Sequence, residues 1–276
     1  MNTLYHYTDL NAFLSIIQNK KLWLTGAYNL NDHREVTWAL EKIGTCLSRF
    51  ATSHCQEKAN EISQLIQASC GVPYICSLST ESDRLSQWRA YGQNGAGIAI
   101  GINRSALPSS ERLPYMTASR KQSVSLQRVV YDNGEQEQLI DQVLAPIFDL
   151  PKIDEEAHFQ MSMAASKLSG LSTIFKNRAF SEESEWRIIH SPMIMGRHDD
   201  NASLIRMSIS EAKFRVAGQK IVTYFEFDFF DKAHSEIFAE VMLGPRCEVS
   251  NYDLSILLTQ HGLEKIRIRR SEASYR

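Results

Sequence analysis

The chain has 276 residues, 43% of them hydrophobic and 22% charged, values of a folded globular protein that exclude wholesale disorder. Thirty basic residues against 32 acidic leave a formal charge of -2, which excludes a uniformly basic nucleic-acid coat but not a local basic patch. No apolar run approaches the roughly 18 residues of a membrane span, and the opening Met1-Asn2-Thr3-Leu4 lacks the regions of a signal peptide, so a cytoplasmic protein with no membrane partner is expected.

In chain order, Leu4 to Tyr7 reads as a strand. Asp9 is placed to cap a helix from 10 to about 19, with Leu10, Phe13, Leu14 and Ile17 on its apolar face. A second strand follows at Leu22 to Thr25. Asp32-His33-Arg34-Glu35 has capping-box spacing, and Val36, Leu40, Ile43, Leu47 and Phe50 behind it mark an amphipathic helix. Another apolar stripe falls at Ile62, Leu65 and Ile66. Tyr74 to Ser79 reads as a strand, 83 to 91 as a short helix, Gly92 to Gly95 as a turn and Ala96 to Ile102 as a buried strand. Residues 103 to 125 look like a surface excursion, with strand character resuming at Val129 to Tyr131. Two helices are expected between 135 and 175, broken near Pro151. Strands recur at Trp186 to His190, Leu204 to Ile209, Ile221 to Phe227 and Ile237 to Leu243. A helix at about 251 to 261 ends at Gly262, and Ile266 and Ile268 form a last strand. Strands and helices do not alternate strictly, so the fold class is α+β: one domain over 1–276 with a helical insertion at about 135–176.

The five cysteines, Cys46, Cys55, Cys70, Cys76 and Cys247, are odd in number and show no C-x-x-C spacing, which argues against a zinc knuckle or a disulfide framework. Cys76, in an apolar run, reads as core. Gly95-Ala96-Gly97 precedes a strand, whereas a dinucleotide fingerprint follows one, so it reads as a hairpin turn. No metal site is expected. Three places carry polar chemistry in unusual company: His6 between Tyr5 and Tyr7; Ser79 with the segment Ser86-Gln87-Trp88-Arg89-Ala90-Tyr91-Gly92; and Glu182-Glu183-Ser184-Glu185-Trp186-Arg187. Taken singly, each has a bland reading: a structural histidine, core packing and a solvated loop.

Together they resemble a family of uncharacterised bacterial proteins. The resemblance rests on Leu4-Tyr5-His6-Tyr7-Thr8, Leu22-Trp23-Leu24, Asn31-Asp32-x-x-Glu35, the Ser-Leu-Ser strand, Trp88-x-x-Tyr91-Gly92, Gly97-Ile98-Ala99-Ile100-Gly101 and Glu183-x-Glu185-Trp186-Arg187. A wider resemblance is to the ADP-ribosyltransferase superfamily, and the opening is similar to that of toxins that ADP-ribosylate single-stranded DNA. The resemblance implies a split mixed β-sheet core with helical insertions and NAD as substrate. It implies His6 on the nicotinamide-side ribose, with Tyr7 also lining the NAD site. Ser79 or Ser77 becomes the middle-strand residue, and Trp88 or Tyr91 the stacking aromatic. Glu185 becomes the catalytic glutamate and Glu183 the one handling the acceptor; Arg34, Lys176 and Arg178 become diphosphate contacts.

The chemistry suits such residues. Breaking the nicotinamide glycosidic bond builds positive charge on the ribose; one carboxylate stabilises that charge and a second takes a proton from the nucleophile. Residues two apart on a strand face the same side, so Glu183 and Glu185 are expected to converge if the chain is extended there. The expected function is mono-ADP-ribosyl transfer to a macromolecule, single-stranded RNA or DNA favoured over protein because of the basic terminal strand Arg267-Ile268-Arg269-Arg270. A bacterial toxin or anti-phage effector held by an antitoxin or inhibitor protein is the expected setting. The alternatives are NAD glycohydrolysis and a non-catalytic binding or sensor protein with a transferase-like shell.

Overall fold

The computed structural model of the chain describes residues 2–27, 34–53, 55–68, 73–108, 123–195, 204–206, 208–229 and 234–274. The order is β1 (Thr3–Thr8), α1 (Leu10–Asn19), β2 (Lys21–Gly26), α2 (Arg34–Ser53), α3 (Gln56–Ala68), β3 (Tyr74–Ser79), α4 (Leu85–Ala90), β4 (Ile98–Asn103) and β5 (Val124–Arg128). It continues with α5 (Asn133–Phe148), α6 (Glu155–Leu171), β6 (Glu185–His190), β7 (Met193–Met195), β8 (Leu204–Arg206), β9 (Lys213–Ala217), β10 (Lys220–Asp228), α7 (His234–Ile237), β11 (Phe238–Leu243), α8 (Asn251–Gln260) and β12 (Arg267–Arg270). The α+β class stands.

Local chemistry places several of these elements. Asp9 accepts from the Ala12 amide at 2.8 Å and starts α1, whose Phe13, Ile16 and Ile17 are buried. Asp132, Asp154 and Ser250 cap α5, α6 and α8 in the same way. The chain breaks between α5 and α6 around Pro151, as expected. The resumed strand, however, lies at Val124–Arg128, earlier than the expected 129–131, because Val124 and Leu126 alternate inward against polar neighbours. Val130 instead makes an isolated parallel bridge to Phe175. Most of the expected surface excursion, 109–122, lies outside the described residues.

Among the described residues, ten strands form one sheet in the order β12-β11-β4-β1-β3-β2-β10-β9, with β6 and β5 branching from β3. Its pairs are antiparallel except β11 with β12, so the sheet is mixed. It divides at β3. One edge of β3 pairs with β6 along its whole length. The other meets β2 at Tyr74 and Ile75 and β1 only at Ser79, leaving a gap between.

One face of the sheet is covered by α1 and α8, over a core that includes Leu4, Cys76, Ile100, Ile188 and Phe225. The other face carries two separate apolar clusters. Under α2, α3, α5 and α6 lie Ile75, Ile189, Ile62, Ile140 and Phe175. The expected helical insertion is therefore part of a lobe shared with α2 and α3. Under α4, Tyr7, Trp88, Ala99 and Met242 form the second cluster. The chemistry gathers between these two. No helix among the described residues is long and apolar enough to cross a membrane.

Candidate active site

Strand register sets the faces. Tyr5 opposes Ser79, Ser79 opposes Glu185, and Ser77 opposes Arg187. Alternation therefore puts Tyr5, Tyr7, Ser77, Ser79, Glu185 and Arg187 on one face of the sheet. His6, Cys76 and Ile188 point the other way.

On the first face a buried ring of alternating charge closes. Lys176 Nζ contacts Glu35 Oε1 at 2.8 Å and Glu185 Oε2 at 3.2 Å. The Arg187 guanidinium bonds Glu35 at 2.6 Å and grips both oxygens of Glu185, Nε to Oε1 at 2.8 Å and Nη2 to Oε2 at 2.9 Å. Its remaining arm donates to the Thr173 carbonyl at 2.7 Å. These four side chains balance to zero. Glu183 is the fifth group and the surplus carboxylate: its Oε2 accepts from Lys176, and its Oε1 faces the Tyr91 hydroxyl at 3.4 Å.

That arithmetic explains the acidities. Burial alone would raise the Glu185 carboxyl, but the Arg187 charge and hydrogen bond, with Lys176 and a Ser77 hydroxyl, outweigh it and hold Glu185 down to about 2. Glu183 goes the other way. Burial raises it, the Lys176 contacts only partly compensate, and the charges of Glu185 and Glu35 add to the rise. Lys176 loses from burial but gains more from Glu185 and Glu35, so it stays firmly protonated.

Glu183 and Glu185 do converge, but not through extended backbone. Glu183 ends a 3-10 turn, Arg178–Glu183, and Ser184 takes a left-handed conformation, φ 46° and ψ 47°. A single residue in that region reverses the chain enough to aim both neighbours at Lys176. Hydrogen bonds hold the turn: Ser79 Oγ donates to the Glu183 carbonyl at 2.7 Å, and the Thr80 amide donates to Ser184. The Glu185 amide in turn donates to the Tyr131 hydroxyl at 3.1 Å. Gln136, fully buried on α5, donates to the carbonyls of Val130 and Lys176 and so fixes the backbone that carries the ammonium.

The remaining expected residues are placed differently. His6 lies on the opposite face, away from Glu185; its Nδ1 donates to the Ser77 carbonyl at 3.0 Å, in the gap where β1 and β2 part from β3. Burial lowers its basicity. Trp88 is fully buried, its indole N–H on Asp83 at 2.7 Å and its ring edge-on to Tyr7 at 4.7 Å, so no ring face is open to nicotinamide. Tyr7 is buried as well, its hydroxyl donating to the Glu81 carbonyl and accepting from the Arg84 amide. Tyr91 alone of the expected aromatics reaches the carboxylates. Lys176, expected at a diphosphate, is 3% exposed and engaged by three carboxylates. Arg178 is exposed, while Asp32 and the Arg34 side chain lie outside the described residues. Burial and the charge of Glu185 push the Cys76 thiol up to about 12, in keeping with a core residue. In the terminal strand, Arg269 pairs with Glu240 and Arg270 donates to the carbonyls of Cys247 and Val249.

In the sequence Arg187 was visible only as a motif letter, and Glu35 as a motif letter and the N3 position of a capping box. Arg187 was within reach of sequence logic, because it shares a strand face with Glu185 two residues away. Glu35 was not, since it meets Arg187 across 152 positions.

A family model described as a protein of unknown function (DUF2971) matches residues 87–188, which is 102 of the 276. The matched stretch runs from α4 through β6 and contains Tyr91, Gln136, Tyr131, Lys176, Glu183, Glu185 and Arg187. No curated protein matches the chain, and no solved structure does.

Proposed function

We propose that this chain transfers ADP-ribose from NAD to a macromolecule, with single-stranded RNA or DNA as the acceptor favoured over protein. The observation that supports this most is the pair of neighbouring carboxylates held on one ammonium with proton affinities shifted in opposite directions. Glu185 is a permanent anion, suited to face positive charge developing on a ribose. Glu183, the surplus carboxylate whose proton affinity is raised, is suited to take the proton of an incoming nucleophile. NAD supplies the glycosidic bond to be broken; this chain supplies the two carboxylates, and Tyr91 beside them. The diphosphate falls to residues other than Lys176. A cytoplasmic toxin or anti-phage effector, restrained by an inhibitor protein, is the setting that the resemblance suggests.

A second reading has its own observation. Both oxygens of Glu185 are already bonded within the ring, as befits a non-catalytic shell whose cluster only joins the helical lobe to the sheet.

Labelled NAD separates the readings. Incubation with RNA, single-stranded DNA and a protein lysate in parallel should place label on nucleic acid. Glu185→Gln should lower nicotinamide release by about 10²- to 10³-fold, the usual cost of one charge contact to a transition state. Glu183→Gln should keep nicotinamide release and lose transfer. An absence of nicotinamide release from the wild-type chain would leave the shell reading; free ADP-ribose as the sole product would make it a glycohydrolase.

A further inference from the structure

Beside the candidate site lies a groove of about 610 Å³, lined by Arg84, Leu85, Ser86, Arg89, Ala90 and Glu182. That volume falls within the range that holds small ligands or a nucleotide unit. Its walls are α4 with the residue before it and the 3-10 turn that also carries Glu183. The α4 wall is anchored from beneath: Tyr7 bridges Glu81 and Arg84, and Trp88 holds Asp83. Asp83 also accepts from Ser271 Oγ and the Glu272 amide. Ser79 and Thr80 tie the two walls together through Glu183 and Ser184. Such a groove is preformed, which lowers the ordering cost of binding.

Its chemistry is specific. Two guanidiniums and one carboxylate line it. Arg84 is shared with Glu81 at 3.3 Å and remains 42% exposed at its side chain. Ser86 Oγ is buried without a hydrogen-bond partner among the described residues, a group that a bound polar atom would satisfy. Leu85 and Ala90 add apolar surface. Phe180, on the same turn as Glu182, is 38% exposed, with the Lys176 ammonium 5.1 Å from its ring centre. Guanidiniums, a hydroxyl, a carboxylate and apolar surface together match phosphate, sugar and base. On the terminal strand, Arg269 pairs with Glu240 and Arg270 donates to the Cys247 carbonyl, while Arg267 is exposed.

Resting on the transferase reading, we propose that this groove seats the acceptor strand, with Arg84 and Arg89 on its phosphates and the modified nucleotide delivered past Glu182 to Glu183. Fluorescence anisotropy of labelled ten-nucleotide single-stranded RNA and DNA, without NAD, tests it on the full chain. Arg84→Ala/Arg89→Ala should weaken binding of at least one strand by roughly tenfold or more, since each lost contact is a charge-assisted hydrogen bond. The log–log salt slope should fall by about 1.4, roughly 0.7 per phosphate contact on a single strand. Arg89→Glu should weaken binding further, and Arg267→Ala, on the terminal strand, should do little. Nicotinamide release without a strand should persist in the groove variants. No wild-type binding, unchanged binding in the double variant, or a larger loss in Arg267→Ala would overturn the proposal. So would AMP binding as tightly as the ten-mer, which would make this a free-nucleotide site. Because strand binding and nicotinamide release are read separately, failure of the groove and failure of the transferase reading give different results.

Discussion

Among the described residues two lysines lie buried, and they are neutralised in different ways. Lys176, 3% exposed, is surrounded by the carboxylates of Glu35, Glu183 and Glu185. Lys58, 4% exposed on α3, meets backbone carbonyls instead: Ile147 at 3.0 Å, Phe148 at 3.2 Å and Leu150 at 2.5 Å. Ile147 and Phe148 end α5 and Leu150 lies just beyond it, at the negative pole of the helix dipole. Lys58 is therefore a cap that joins α3 to α5, held by backbone carbonyls, which do not titrate. At Lys176 the compensating groups are titratable and outnumber the cations. Dipoles around a buried charge make a fixed joint; carboxylates around one make a joint with a protonation state.

The sharpest way to break this comparison is to remove each ammonium while keeping the stem. Lys176→Met leaves three carboxylates on one guanidinium, and breaking such a buried pair costs about 3–5 kcal/mol. Urea unfolding should show that loss in full where Glu183 is ionised and a smaller one as the pH falls and Glu183 takes up its proton. A loss independent of pH would mean that Glu183 does not carry the surplus charge.

The wild-type chain should show the two carboxylates acting with opposite sign. Glu185 is held at about 2 against an ordinary 4.5. Its contribution is complete above 4.5 and lost as the pH falls from there towards 2, to the extent of about 3 kcal/mol at 1.36 kcal/mol per unit. Glu183 is raised, so the folded state holds its proton more tightly than the unfolded chain. Its contribution is present below 4.5 and lost as the pH rises through its own higher value. Stability profiles of Glu185→Gln and Glu183→Gln should each flatten one limb, the acid limb for the former and the limb above 4.5 for the latter. If both variants flatten the same limb, the ring arithmetic is wrong.

Lys58→Met should cost less, about 2 kcal/mol, because hydrogen bonds from one charged group are lost without stranding an opposite charge. The expected unfolding midpoint shift is the same at pH 5 and pH 8, and nicotinamide release is untouched. A pH-dependent loss would erase the distinction between the two lysines.

What the sequence made legible follows the same division. Short-range signals were readable: the Asp9 cap, the apolar stripes of α2 and α3, the break at Pro151 and the Glu-x-Glu carboxylates. Arrangements made by distant segments were not. Nothing local marks Glu35 as the bridge between Lys176 and Arg187, or Gln136 as the clasp on the Lys176 backbone. The hairpin of β9 and β10 was half seen, because Phe214 and Val216 alternate with Lys213 and Arg215 but face solvent at 67% and 75% exposure. Aromatic spacing at Trp88 and Tyr91 pointed to one helix face, yet burial assigns Trp88 to the core and Tyr91 to the carboxylates.

The smallest effect belongs to His6 and bears on the split in the sheet. Between the contacts of β3 with β2 and with β1, the Ser77 carbonyl accepts from an imidazole in place of a strand amide. A carbonyl only accepts, so Nδ1 carries the proton, and burial keeps the ring neutral. His6→Ala removes this donor from a half-buried position, at a cost of about 1 kcal/mol. His6→Asn, which also carries an N–H donor, should recover part of that loss. Because the ring faces away from Glu185, calorimetry should find NAD affinity unchanged in a folded His6→Ala chain. A weakened affinity at unchanged stability would return His6 to the ribose contact that the resemblance implies, and would mean that the gap in the sheet opens towards the ligand.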